Sequence, residues 1–236
     1  MGAPMGDLGG GIFAAHGVLA ALYKREKTGV GQKIDISMLD VQIFLLTYRG
    51  LYYLYAGEVA EPIGSGHRSS IPIRAFRTKT FDIVIDTNTD KFFQELCLGM
   101  GLKDMASDPR FRTRADRLRN KDLVYRLLEE AFLQKGGEEW LELLEHRVPI
   151  GPINTVDRAL SDPQILARDM VVETVHQSGE KMKLLGNPIK MTDGGKDEFA
   201  PPPYLGEHTE QVLTKLLNFS PAEIQKLREN KVISLK

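Results

Sequence analysis

The feature that most constrains the fold is a carboxylate and a glycine run directly ahead of an apolar helical pattern. Asp7 precedes Gly9, Gly10 and Gly11, and apolar residues recur at helical spacing from Ile12 onward. We interpret the glycines as a turn that opens onto a helix N-terminus. Free N–H groups and a partial positive charge at such a terminus favour a negative charge, and glycines leave the backbone accessible. The stretch is predicted to hold a reactive carboxylate or to bind an anion.

Two plainer interpretations stay open at the level of the residues. On the residues alone, Asp7 is more typical of a simple helix cap than of a reactive group. The glycine run suggests a dinucleotide loop only weakly, because no strand pattern precedes it.

Composition and charge exclude several classes of function. The chain has 236 residues, 42% of them hydrophobic and 27% charged, with a net charge of −1. It is long enough for one or two globular domains, and its charge predicts no attraction to nucleic acid or to a membrane surface. The apolar region of residues 41–55 is interrupted by Arg49 and Gly50 and is too short for a membrane span.

The cysteine and histidine content predicts no metal site. Cys97 is the single cysteine, which excludes an internal disulfide and a cysteine zinc site and suits the reducing cytoplasm. The five histidines lack the spacing of metal ligands. We therefore expect a cytoplasmic protein without a bound metal.

The remaining pattern predicts a mixed α/β chain. Helices are expected at 12–27, 39–56, 91–98, 122–134, 138–146, 156–160, 163–168 and 209–217, and after the capping box of Ser220 and Glu223. Strands are expected at 33–38, 73–77, 81–86, 171–176 and 181–185. Residues 61–72 and 105–119 are expected to be loops, and 196–206 a stiff linker. The arginines of the second loop alternate with aspartates, which favours a solvated, salt-bridged surface.

Several sequence blocks carry a resemblance. They are Gly6-Asp7 with the glycines that follow, Gly17–Leu22, Lys27–Lys33, Ser37–Asp40, Asp108–Phe111, Pro149–Asn154 and Leu205–Thr209. In this order the blocks resemble the class III CoA-transferase family, which includes formyl-CoA transferases, carnitine-type CoA-transferases and 2-methylacyl-CoA racemases. The resemblance extends along nearly the whole chain.

The resemblance implies a mechanism and a set of site residues. Asp7 matches the nucleophilic aspartate that attacks an acyl-CoA thioester, so that CoA passes to a second carboxylic acid through covalent intermediates. Gly64, Ser65, Gly66 and His67 resemble the family's glycine-rich loop over the active site. Backbone N–H groups of Gly9, Gly10 and Gly11, or of that loop, are candidate oxyanion donors. Coenzyme A is then a substrate, as its thioester, and not a permanently bound cofactor.

The resemblance also implies the architecture. Residues 1–60 are expected to be part of a large Rossmann-like domain, 61–195 a smaller α+β domain, and 196–236 a linker and helices returning to the large domain. Family members carry a long segment before the aspartate block, with most of the CoA-contacting residues. We therefore expect an incomplete enzyme that forms an interlocked homodimer or assembles with a separate N-terminal half.

Two alternatives remain beside the transferase. In the racemase or isomerase branch the same aspartate serves as an acid or base near the α-carbon of the acyl group. In the third hypothesis the chain is a non-catalytic, truncated member of the family that binds or supports other proteins.

Overall fold

The division of the chain into two units organises the fold. The computed structural model describes residues 2–193 and 199–233. The chain divides between Arg68 and Ser69 into an N-terminal unit and a C-terminal unit. Mixed helices and small sheets confirm the α/β class. The predicted limits at 60/61 and 195/196, and the return of the tail to the first domain, stay predictions.

The N-terminal unit is built of helices. They are α1 (Met5–Thr28), α2 (Met38–Leu45) and α3 (Tyr48–Ala56). Gly29 ends α1 at φ +70°, a left-handed conformation that glycine adopts without steric cost, as the pattern predicted.

Two predictions for this unit are wrong. Residues 33–37 form no strand, and Ser37 instead caps α2 by accepting a hydrogen bond from the Asp40 N–H at 3.2 Å. The single helix predicted over 39–56 is broken at Thr47, whose φ is +50°. The N–H groups of Leu46 and Thr47 donate to carbonyls three residues back, which tightens and ends α2.

The C-terminal unit begins with the predicted hairpin. Strand β1 (Ile73–Phe76) is antiparallel to β2 (Ile83–Asp86), with Ile73 opposite Asp86, and β2 is antiparallel to β3 (Ile150–Pro152). Ile83 and Ile85 alternate with exposed neighbours and are fully buried. One face of this sheet therefore lies against the core.

Helices cover that buried face. The helices between β2 and β3 are α4 (Asp90–Gly99), α5 (Lys103–Ser107), α6 (Arg114–Arg119), α7 (Lys121–Phe132) and α8 (Gly137–Leu144). The core includes Phe76, Phe93, Leu96, Phe111, Val124, Leu128, Phe132, Trp140 and Leu144. The Trp140 indole N–H donates to the Phe132 carbonyl at 2.8 Å, so its one polar atom is satisfied inside the core.

The prediction of a loop over 105–119 is wrong. The segment holds α5, a 3₁₀ turn at Pro109–Phe111 and α6, which starts with a capping box between Thr113 and Asp116. Of the arginines predicted at a solvated surface, Arg117 has 0% exposure. The caps and Phe111, which anchors the turn in the core, offset the weak helical pattern of the charged residues.

The rest of the unit matches the predicted elements. It contains α9 (Val156–Leu160), α10 (Pro163–Ala167), the antiparallel pair β4 (Val171–Val175) and β5 (Lys181–Leu185), α11 (Thr209–Lys215) and α12 (Pro221–Glu229). The capping box of Ser220 and Glu223 is confirmed. Part of the predicted linker, 194–198, lies outside the described residues.

Candidate active site

The candidate nucleophile lies in the first turn of α1. Asp7 is the third residue of the helix, and its side chain is exposed. The N–H of Leu8 donates to the Pro4 carbonyl at 3.0 Å, so the helical hydrogen bonds begin there and the N–H groups of the first turn point toward the free end. Asp7 therefore lies where the helix favours an anion.

The carboxylate of Asp7 is unengaged by the part of the chain that the structure describes. Among residues 2–193 and 199–233, none donates a hydrogen bond to it or forms an ion pair with it. A side chain that only capped the helix accepts a backbone N–H, and this contact is missing at the N-terminus of α1. Asp7 therefore makes no capping hydrogen bond among the described residues, and its carboxylate is exposed in the first turn of α1.

The glycine run is helix and not a turn, which corrects the prediction. Gly9, Gly10 and Gly11 lie in the second turn of α1, where each N–H donates to the carbonyl four residues earlier. These three N–H groups are therefore engaged in the helix. They are not free to bind an oxyanion in the way that was predicted.

Two of these glycines serve helix packing. A Cβ added at Gly9 would lie 2.8 Å from Val41 Cγ1, and a Cβ added at Gly10 would lie 3.2 Å from Met38 Cγ. Both distances are too short for a relaxed contact, so the glycines allow α2 to approach the backbone of α1. This contact fixes the helix that carries Asp7.

Gly11 has a different environment. A Cβ there meets nothing within 4 Å in the part of the chain that the structure describes. Gly11 follows Asp7 by four residues, so the two lie on one face of α1, one turn apart. The side of the helix next to the Asp7 carboxylate is thus bare of side-chain atoms at this position, which suits the approach of a large substrate.

The candidate substrate loop follows α3. Gly64 has φ +62°, and the Gly66 N–H donates to the Ile63 carbonyl at 3.2 Å, which forms a turn. Ser65 and His67 also make contacts of their own. Among the described residues, Asp7 forms no hydrogen bond or ion pair with this loop.

An ion pair closes the base of this loop. Arg68 pairs with Glu58, and its guanidinium lies 5.4 Å from the centre of the Tyr52 ring. The segment 59–67 is therefore a closed loop held at its ends by residues of the N-terminal unit.

Metal and thiol chemistry find no site in the described chain. No three His, Cys, Asp or Glu side chains of residues 2–193 and 199–233 gather as metal ligands do. Burial in the core raises the pKa of the Cys97 thiol to about 12, more than the nearby Arg117 lowers it. The thiol is therefore protonated and unreactive at neutral pH.

The N-terminal unit exposes a large apolar surface. Of its described residues only Gly9, Gly10 and Val41 are buried. Its large exposed apolar side chains include Leu8, Ile12, Leu19, Tyr23, Leu39, Ile43, Phe44, Leu54 and Tyr55. We call these nine residues the apolar surface; an apolar surface of this kind marks an interaction site.

Helix α1 is also long and apolar enough to cross a membrane, by length and composition only, and 17% of its apolar window is buried. Core helices of soluble proteins and signal sequences share these properties, so the observation is weak evidence for a membrane span. The prediction of no membrane association stays a prediction.

Comparison with known proteins decides the family. A model described as CoA-transferase family III matches residues 1–209. The chain belongs to this family. The resemblance inferred from the sequence blocks is therefore confirmed.

Relatives and solved structures agree with this assignment. Succinyl-CoA:glutarate CoA-transferase from Mus musculus is 32% identical to this family III chain over 227 residues, which are 96% of the chain and 52% of that protein. Acetyl-CoA:oxalate CoA-transferase from Acetobacter aceti is 34% identical over 192 residues, covering 81% of the chain and 48% of that protein. A CAIB/BAIF family protein from Brucella suis superposes with a TM-score of 0.80 at 29% identity, over 92% of this chain and 56% of that one.

All three matches cover only part of the relative's own length. This family III chain spans about half the length of these relatives. Their α/β fold is shared over that half.

Proposed function

We propose that this chain carries the nucleophile of an acyl-CoA:carboxylate CoA-transferase and that Asp7 is that nucleophile. The observation that carries the proposal is the carboxylate of Asp7 at a helix N-terminus, which is exposed and has no partner among the described residues, beside the open position at Gly11. Membership of CoA-transferase family III supports it.

The first half of the reaction loads the enzyme with CoA. An oxygen of Asp7 attacks the thioester carbonyl, the C–S bond breaks, and a mixed anhydride and CoA thiolate result. The thiolate then attacks the aspartyl carbonyl and displaces the donor acid as its carboxylate. Asp7 is left as an aspartyl-CoA thioester, and one difficult exchange has become two easier steps.

The second half repeats these steps in reverse with an acceptor acid. The acceptor carboxylate attacks the aspartyl thioester, which gives a new anhydride and releases CoA thiolate. The thiolate attacks the acceptor's acyl carbon, and Asp7 leaves as a carboxylate. The Gly64–His67 loop, apart from the Gly66 N–H that donates to the Ile63 carbonyl, is the proposed source of donors to the oxyanions formed, since the N–H groups of Gly9 to Gly11 are engaged in α1.

The proposed substrates are a CoA thioester and a dicarboxylic acid. The names of the mouse and Acetobacter relatives pair CoA esters with glutarate and with oxalate. An acceptor with a second carboxylate needs a cationic or N–H partner for that group. We place the reaction in the cytoplasm, where the CoA and Cys97 thiols stay reduced.

The active species is proposed to be an assembly. The exposed apolar surface of the N-terminal unit suits burial against protein. The partner is either a second copy in an interlocked dimer or a separate N-terminal half that supplies CoA contacts. Light scattering that finds a stable, well-folded monomer under assay conditions contradicts this part of the proposal.

The experiment replaces Asp7 by asparagine in the assembled enzyme, with Asp35→Asn as an exposed control in the same unit. Hydroxylamine added with an acyl-CoA is expected to trap the activated carboxyl as a hydroxamate on Asp7, located by peptide mass spectrometry. Asp7→Asn is expected to lose the adduct and to reduce transfer on the order of a thousandfold or more, because it removes the nucleophile. Full turnover by Asp7→Asn would end the proposal.

The same assembly separates the alternatives. Exchange of the α-proton of the acyl group with deuterium, without transfer between acids, selects the racemase branch. Calorimetry that detects no CoA binding, with or without a partner, selects the non-catalytic alternative. The two relatives reported above are named as transferases, which favours transfer.

A further inference from the structure

The side-chain amide of Gln42 lies against the first turn of α1, the turn that carries Asp7. A Cβ added at Gly6 would lie 3.1 Å from Gln42 Nε2 and 3.4 Å from Gln42 Cδ. The first of these distances is tighter than relaxed packing allows, so the amide reaches this place because residue 6 has no side chain. Gln42 belongs to α2, and both helices belong to the N-terminal unit. Their packing therefore brings a polar group next to the residue before Asp7.

The amide of Gln42 is free to bind a ligand. Its side chain is exposed and makes no hydrogen bond with residues 2–193 and 199–233. The backbone N–H groups of Gly6 and Asp7 also precede the first helical hydrogen bond, which runs from Leu8 to Pro4. A side-chain donor from α2 and backbone donors of α1 thus meet at one turn.

Gln42 is within reach of the Asp7 carboxyl group. The Cα atoms of Gly6 and Asp7 are about 3.8 Å apart, and exposed side chains change rotamer rapidly. Nε2 can therefore approach the carboxyl oxygens while both helices stay in place. An uncharged amide offers two N–H donors there without forming an ion pair that would weaken the nucleophile.

We propose that Gln42 is a further catalytic residue, whose Nε2–H donates to the oxyanion that forms on the carboxyl carbon of Asp7. This inference rests on the proposed function, because the oxyanion forms only after Asp7 has been acylated. In the mixed anhydride the aspartyl carbonyl oxygen is neutral. Charge develops on this oxygen when CoA thiolate attacks, so a donor placed beside it stabilises the transition state more than the anhydride.

The electrons balance without a proton from Gln42. The thiolate adds to the aspartyl carbon, and the π pair of the C=O bond moves onto oxygen. When the C=O bond forms again, the bond to the donor's carboxylate oxygen breaks and the donor acid leaves as an anion. The attack of the acceptor carboxylate on the aspartyl thioester passes through an oxyanion at the same place. Gln42 supplies a hydrogen bond in both steps.

This donor is distinct from those proposed in the loop of residues 64–67. The acyl carbon belongs to the substrate, and its position depends on the acid that is bound. The aspartyl carbon belongs to the protein and stays at the start of α1 with every substrate. A donor on the neighbouring helix α2 can therefore serve each acid that the enzyme accepts.

The experiment compares Gln42→Leu with two other variants. Gln42→Leu removes the amide, and Gly6→Ala keeps it but places a methyl group where it lies. Gln32→Leu is the matched control, because Gln32 is an exposed glutamine of the same unit whose oxygen accepts from Lys24 Nζ at 3.1 Å. The helical circular dichroism signal shows that each variant is folded.

The first readout needs no substrate. In nuclear magnetic resonance spectra of the chain, the side-chain NH2 signals of Gln42 are assigned by their loss in Gln42→Leu. They are expected to shift in Asp7→Asn and in Gly6→Ala, since both substitutions change the surroundings of the amide, whereas the Gln32 signals stay in place. Gln42 signals that move in neither variant overturn the inference, whether or not the protein is a transferase.

The second readout is a single turnover with succinyl-CoA in the assembly that shows Asp7-dependent transfer. Rapid quenching and mass spectrometry follow the aspartyl-CoA adduct. Gln42→Leu is expected to slow its formation about a hundredfold, because one donor to the oxyanion is lost. Gln32→Leu is expected to match the wild type. Absence of an adduct in the wild type removes the proposed function and this role with it, whereas equally fast formation in Gln42→Leu removes only the role of Gln42.

Hydroxylamine separates the two oxyanions in the same reaction. It attacks the acyl carbon of the anhydride and releases the acyl hydroxamate and the Asp7 carboxylate, so the hydroxamate reports the first step. Gln42→Leu is expected to change hydroxamate formation less than about twofold, after subtraction of the Asp7→Asn background. Equal slowing of hydroxamate and adduct overturns the assignment of Gln42 to the aspartyl carbon.

Discussion

The two units of this chain differ in how they bury their apolar residues. In the C-terminal unit, fifteen residues between Ile71 and Val148 form one buried cluster. In the N-terminal unit, three described residues are buried although its helices are rich in Leu, Phe and Tyr. The C-terminal unit therefore completes a core by itself, whereas the N-terminal unit leaves most of its apolar residues exposed.

The helix patterns reflect the same difference. Helix α7 buries Val124, Leu128 and Phe132 at spacings of four residues and exposes charged residues between them. Helices α1 and α2 carry apolar residues on all faces, which is typical of helices surrounded by protein. The exposed apolar residues of the N-terminal unit therefore follow from the sequence pattern of its helices.

The largest predicted effect sets a buried leucine against an exposed one. Leu128→Ala in α7 is expected to lower the free energy of unfolding by about 2–5 kcal/mol, because it leaves a cavity in a closed core. Leu54→Ala in α3 removes the same atoms from a residue that is 75% exposed. We expect it to change the free energy of unfolding by less than about 0.5 kcal/mol. Denaturant unfolding followed by Trp140 fluorescence and by circular dichroism measures both.

This pair also tests the assembly. If a partner covers the N-terminal unit, Leu54→Ala costs stability only when the partner is present. An equal loss from both substitutions in the isolated chain contradicts the contrast between the units.

The second prediction compares two neighbouring glycines of α1. Gly9→Ala is expected to destabilise the N-terminal unit by about 1–3 kcal/mol, because its Cβ overlaps Val41. Gly11→Ala meets no atom and is expected to stabilise α1 by up to about 1 kcal/mol through helix propensity. Thermal melts followed by the helical circular dichroism signal give the change in Tm for each variant. Changes of the same sign in both variants argue against the observed α1–α2 contact.

The third prediction concerns pH and the C-terminal core. The pKa of Cys97 is about 12 in the fold against an ordinary value of 9.0, so the unfolded chain releases this proton first as pH rises. The contribution of Cys97 to the free energy of unfolding is fully present below about pH 9. It falls by about 1 kcal/mol between pH 9 and pH 10.

Cys97→Ala is the control, because other groups titrate in the same range. The difference between wild type and variant is expected to depend on pH only above pH 9. Alkylation of Cys97 by iodoacetamide at pH 8 is also expected to require unfolding; rapid labelling of the native protein contradicts the burial.

The sequence predicted the elements whose patterns are local. The hairpin of β1 and β2, the amphipathic helix α7 and the capping box at Ser220 combine spacing and end signals within a few residues. The strand at 33–38 was a wrong prediction because a brief alternation of polar and apolar residues also suits an extended connection into a capped helix. The break at Thr47 has no local signal, since neither glycine nor proline stands there.

The sequence predicted that Asp7 lies near a helix N-terminus but not the conformation of the glycines that follow it. Asp7 does lie at the start of a helix, but the glycines after it are helical. Their role depends on Val41 and Met38, thirty residues away, and a sequence pattern does not show which helix docks on which. The burial of Arg117 was missed for a similar reason, because a run of alternating charges conceals one buried member.

Arg68 and Ser69 are neighbours in the sequence, and each is held by its own set of contacts. Arg68 is held by Glu58 and Tyr52, and Ser69 by Arg114, so neighbouring residues are bound to different units. The candidate substrate loop thus begins and ends at one ion pair, so residues within the loop can be substituted without separating its two ends.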